Sequence, residues 1–114
     1  MHEYSLVQSL VDRVETLVRE RSATAVHRVV VSVGELAGVD PGLFRTAYET
    51  FRDGTVCERA ALELRTVPAS WACPACGRSI PPGEVLACSP CGVPARLAAG
   101  GDALLLETVE MEVP

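Results

Sequence analysis

Cys73, Cys76, Cys88 and Cys91 form two C-x-x-C pairs with eleven residues between them. One such pair on a tight turn can aim both sulfurs at a single ion. Two turns complete the tetrahedral thiolate shell that zinc favours, with Zn–S near about 2.3 Å. Each pair contains a proline (Pro74, Pro90) and is followed by a glycine (Gly77, Gly92), which suits a knuckle whose backbone amides turn toward the sulfurs. Four thiolates leave no open coordination position, so the expected metal is structural rather than catalytic.

A second set of donors stands at the head of the sequence, in Met1-His2-Glu3. A free α-amine, the amide nitrogen of residue 2 and the imidazole Nδ1 of His2 can close a five-membered and a six-membered chelate ring on one ion. Planar nitrogen donation suits Ni(II) or Cu(II), and Glu3 can add its carboxylate or its own amide. The fourth ligand is left open. These donors abut the positive end of a helix, which disfavours a cation by a few tenths to about 1 kcal/mol.

The totals restrict what such sites can serve. The chain has 114 residues, nearly half of them hydrophobic, which is enough for one modest core. Its net charge is −5, and every basic residue other than histidine is an arginine, with no block of like charge. The electrostatic footprint of a nucleic-acid binder is therefore missing. No apolar run approaches the roughly 20 residues that span a bilayer, and no basic region followed by an apolar stretch marks an export signal. The expectation is a cytoplasmic protein, in which clustered cysteines are metal ligands before they are disulfides. No Ser/His/Asp set, phosphate-binding glycine loop or pair of catalytic acids can be assembled, so an enzyme is not expected.

The elements that must carry these donors can be read from periodicity. Between Tyr4 and Arg21, Leu6, Val7, Leu10, Val11, Val14, Leu17 and Val18 recur at three and four, which predicts an amphipathic helix. The β-branched run around Val29, Val31 and Val33 predicts a strand. Asp40 is a ready N-cap and Pro41 a ready first helical residue for a second helix, whose stripe is Leu43, Phe44, Ala47, Tyr48 and Phe51. Alternation returns in residues 60–67 and again from Leu104 to Val113. Two helices then bury their stripes on one face of a three-stranded sheet, an α/β arrangement. The Pro-, Gly- and Ala-rich cysteine segment is expected to form an inserted zinc-ribbon lobe. The expected division is 1–67 with 102–114 as one domain and 68–101 as the other.

The segments "MHEYSL", "VSVGELAGVDP" and "LFRTAYETF", with the late C-x-x-C pairs, together resemble the HypA family of [NiFe]-hydrogenase maturation proteins over essentially the whole chain. The resemblance implies a nickel metallochaperone. It makes His2 the principal nickel ligand, with Met1 supplying its amine and Glu3 assisting, and it makes Cys73, Cys76, Cys88 and Cys91 the ligands of a structural zinc. Implied partners are a maturation GTPase and the hydrogenase large subunit, with urease maturation proteins as further acceptors. Monomer and homodimer both stay open. Two departures touch no ligand: the stretch between the cysteine pairs is short and lacks histidine, and "GELAG" stands where the family often has a serine before its second glycine.

Two other readings of the cysteines differ in kind. One is a zinc-ribbon module that binds protein or nucleic acid. The other is an iron-loaded electron carrier, since the C-P-x-C-G knuckle is also similar to those of rubredoxins. Among the remaining residues, His27 is read as packed or surface-lying and Cys57 as a half-buried small hydrophobe. Glu35 is a candidate contact to the nickel site or a partner. The acidic strand with Glu107, Glu110 and Glu112 is read as a solvated edge or a docking surface.

Overall fold

The computed structural model describes residues 2–81 and 86–114. Helix α1 (His2–Arg21) buries Val7, Leu10, Val11 and Val14. It begins two residues before the expected start at Tyr4, and its first turn carries the polar contacts of His2 and Glu3. Its far end closes with Ser22 at φ 52°, where the Ala23 amide donates to Val18 O and the Ser22 amide to Arg19 O. That pairing satisfies carbonyls which would otherwise be orphaned.

Strand β1 (Ala25–Gly34) follows, then α2 (Pro41–Phe51) and β2 (Ala61–Val67). Asp40 caps α2 as expected, its side chain accepting from the Leu43 amide at 3.1 Å. Residues Trp71–Ala72, Ser79–Ile80 and Arg96–Leu97 are the short strands β3, β4 and β5, and β6 (Leu104–Glu112) completes the chain. The main sheet runs β2-β1-β6, with β1 parallel to β2 and antiparallel to β6. Both helices lie on one face of it, over a core of Val7, Val11, Val14, Val29, Val31, Phe44 and Tyr48. Full burial of each such side chain stabilises by about 1.5–3 kcal/mol. The Tyr48 hydroxyl donates to Ala60 O at 2.8 Å, so the largest core residue brings no unsatisfied polar atom inside.

Strict alternation fails in two strands, for one physical reason. The register of β1 against β6 shifts between Val26 and Arg28 and again between Val30 and Val31. His27 on β1 and Glu107 on β6 are the extra residues. Each bulge flips the side-chain parity, so Leu104 and Leu106 share the helix side with Val109 and Met111, although simple alternation puts these pairs on opposite faces. Glu107 is thereby turned to the open face, where it accepts from Ser32 Oγ at 2.8 Å.

Strands β4-β3-β5 form a second, antiparallel sheet around Cys73, Ile80 and Cys88, with Trp71 packed against them. Both connections to this lobe are pinned to the end of β1. Gly34 N donates to Ala103 O, Glu35 N to Val67 O and Leu36 N to Gly101 O, each at 2.8 Å. Gly34 is required there: a Cβ would stand 2.3 Å from Gly100 O and 2.4 Å from Gly101 O. The radius of gyration is 17.9 Å, against about 13–14 Å for one compact globule of this length, as befits two cores side by side.

Candidate metal centre

The two cysteine knuckles are built alike. In the first, Cys73 N donates to Arg78 O and Gly77 N to Cys73 O. In the second, Cys88 N donates to Val93 O and Gly92 N to Cys88 O. Gly77 and Gly92 both have positive φ, at 78° and 69°, the left-handed turn that lets each second cysteine fold back beside the first. The four sulfurs lie within 4.8 Å of one another, and Cys76 Sγ is 3.8 Å from Cys88 Sγ. A tetrahedron with metal–sulfur bonds of about 2.3 Å has edges of about 3.8 Å, so one ion fits the cluster with small adjustment.

Electrostatics favour a cation at that point. The Cys76 amide, and after it the Ala75 amide, donates to Cys73 Sγ and draws its thiol down to about 6. The Cys91 amide lowers Cys88 in the same way. Cys91, facing the sulfurs of Cys76, Cys88 and Cys73, is pushed up to about 12. Three sulfurs thus resist a further negative charge among them, the conflict that a divalent ion relieves. No disulfide joins these residues: all five cysteines are free.

At the other end, Met1 lies outside the described residues. His2 and Glu3 occupy the first turn of α1, where amides have no intrahelical partner. The His2 side chain is 61% exposed, and its Nδ1 lies 3.8 Å from Glu3 Oε2. Glu3 is anchored: the same Oε2 accepts from the Asp40 amide at 3.2 Å. That bond is the main reason its carboxyl sits below the ordinary range, with its own amide next and the neighbouring His2 adding a smaller pull. An exposed imidazole therefore stands beside a carboxylate held by the N-cap of the second helix, a tie between residues 37 apart that local sequence pattern does not announce.

The other singled-out residues act elsewhere. Glu35 Oε1 accepts from the Ala69 amide at 2.7 Å, so it clamps the first connection to the lobe. His27 pairs with Glu112 at 2.9 Å on the surface. Cys57 is fully buried rather than half-buried, and burial pushes its thiol up to about 11. The hydroxyl-rich turn after α2 wraps it, with Thr55 Oγ1 accepting from its amide.

Comparison with known proteins supplies the context for this pair of sites. The family described as hydrogenase/urease nickel incorporation metallochaperone HypA matches residues 1–111. The chain belongs to the HypA family. A hydrogenase maturation factor HypA from Aquifex aeolicus is 39% identical over 114 residues, covering 99% of both chains. Its counterpart from Wolinella succinogenes is 36% identical, covering 98% of this chain and 96% of its own. A solution structure of the nickel metallochaperone HypA from Helicobacter pylori superposes with a TM-score of 0.71 at 30% identity, covering 98% of each chain. A second solution structure of a HypA protein gives 0.78 at 32% identity over 97% of this chain and 96% of that one. In this family setting the four-cysteine cluster marks a zinc-binding lobe, and no described helix is long and apolar enough to cross a membrane.

Proposed function

We propose that this HypA-family chain takes up Ni(II) at Met1, His2 and Glu3 and delivers it to the [NiFe]-hydrogenase large subunit during maturation, acting with a maturation GTPase in the cytoplasm. The observation that carries the reading is the placement of His2. Its imidazole is exposed at the first turn of α1, with Nδ1 turned toward the anchored carboxylate of Glu3. Nδ1 is the ring nitrogen that closes a six-membered chelate with the residue's own amide. Glu3, already held ionised by the Asp40 amide, supplies negative charge that offsets the positive end of the helix.

Cys73, Cys76, Cys88 and Cys91 are proposed as the ligands of a structural zinc, with 68–101 as the domain that the zinc holds together. Among the described residues the lobe offers three two-residue strands and a core of Cys73, Ile80 and Cys88 with Trp71, Val93 and Ala95 partly buried against it, which is little other source of stability. The nickel is cargo: an exposed chelate can be approached by an acceptor's donors while it still holds the ion, so transfer proceeds by ligand exchange. No catalytic step is assigned to any residue. The reading is tested by loading the protein with radioactive nickel and incubating it with nickel-free hydrogenase large-subunit precursor. Transfer that falls to background when His2 is alanine supports it, and equal transfer by both proteins refutes it.

A further inference from the structure

The uncovered flank of the main sheet carries an inference beyond nickel binding. Strand β6 is an edge strand nine residues long, with no partner on its outer side among the described residues. Helix α1 covers it incompletely. Val29, Val31 and Val33 on β1 are 0–2% exposed, whereas Leu104, Leu106, Val109 and Met111 on β6 are only partly buried. The gap is a groove of about 790 Å³ between the second half of α1 and β6, floored by Leu17, Leu106, Val109 and Met111. A further cavity of about 260 Å³ continues it toward Leu6 and Leu104, sharing Arg13 and Leu106 with the first.

An unpaired strand edge beside an apolar groove is the geometry of β-strand addition, in which main-chain hydrogen bonds give affinity and alternate side chains give selectivity. The charges around it choose the occupant. On the open side of the sheet Glu107, which accepts one hydrogen bond from Ser32 Oγ, and Glu110, 3.6 Å from Arg28 Nε and about half exposed, line the edge strand with carboxylate oxygens still open to a further donor, and on the helix side Arg13 and Arg21 overlook the groove. A second copy pairing antiparallel through β6, with the twofold axis midway between Glu107 and Glu110, would set Glu107 of each copy against Glu110 of the other, a like-charge repulsion of the kind natural edges use to prevent self-pairing.

We infer that β6 and the α1 groove receive an extended segment of a partner protein that alternates apolar and basic residues. Its apolar side chains enter the groove, with a carboxylate where the segment passes Arg13 or Arg21. Its basic side chains lie over Glu107 and Glu110.

The test uses a ten-residue synthetic peptide alternating valine and lysine, with glutamate in place of the first and last valines, and a scrambled peptide of the same composition. Binding to the full chain is followed by fluorescence anisotropy and by amide hydrogen exchange. The alternating peptide is expected to bind and to protect amides of β6 selectively, while the scrambled one does not. The double variant E107Q/E110Q is expected to weaken binding about fivefold and to flatten its salt dependence. Glutamine preserves the Ser32 contact, so the fold survives; L17E, on the half-buried helix side, should independently abolish binding. Failure of the alternating peptide to bind, equal binding of the scrambled peptide, or indifference to both variants overturns the proposal. So does protection of β6 that depends on protein concentration without peptide, since that outcome assigns the edge to a second copy.

Discussion

The carboxylate of Glu3 accepts a hydrogen bond from the amide of Asp40, and Asp40 in turn caps α2 through the amide of Leu43. The first turns of the two helices are thus one unit, and the exposed imidazole of His2 stands on it. Replacing Glu3 by alanine should free that turn, and nickel affinity is expected to fall about tenfold, the size of effect seen when an orienting partner of a ligand is lost. Isothermal titration with Ni(II) measures it, and an unchanged affinity would show that Glu3 neither ligates nor orients.

The same bond has a pH signature. Glu3's folded pKa lies below its ordinary value of 4.5, so the stability it contributes is present above that value and is lost as pH falls through the lower, folded value. The Asp40 amide resonance should therefore titrate with a midpoint below 4.5, and a midpoint at or above it would place the carboxylate elsewhere.

Trp71, the protein's single tryptophan, packs against Cys73, Ile80 and Cys88 and so reports on the cysteine lobe alone. Removing zinc with a chelator, or substituting Cys73→Ser, should shift its emission to the red and release one zinc per chain. The helical circular dichroism of α1 and α2 should persist. Coincident loss of both signals would mean that the lobe's fold and the helices' fold are inseparable.

Gly34 should resist substitution. A methyl group there would meet Gly100 O at 2.3 Å and Gly101 O at 2.4 Å, where two backbone strands cross and neither can yield cheaply. Gly34→Ala is expected to destabilise the protein by about 1–3 kcal/mol in urea unfolding, the usual cost of overpacking. Wild-type stability would mean that the connection from Gly100 to β6 moves freely.

Much of this molecule is legible from local pattern. The stripes of α1 and α2, the Asp40-Pro41 start and the valine-rich strand each follow from spacing within a few residues. The four cysteines also declare themselves, because their chemistry depends on residue type and a short turn. What escaped reading is non-local. The bulges at His27 and Glu107 break strand parity without altering composition. Glu35 looks like a free acid until the Ala69 amide is brought to it, and Glu3 meets Asp40 only once both helices are packed. Cys57 is fully buried because the turn after α2 folds over it, which nothing in its neighbours announces.

Nickel capture at the head of α1 is tested most directly by titrating Ni(II) into zinc-loaded, untagged protein whose first residue is Met1, alongside His2→Ala. We expect one nickel per chain for the parent and an affinity more than about 100-fold weaker for the variant, beyond the 10–100-fold that loss of an outer-shell partner costs. Zinc content and circular dichroism should be the same for both. Undiminished nickel binding by the folded, zinc-replete variant would contradict coordination by His2.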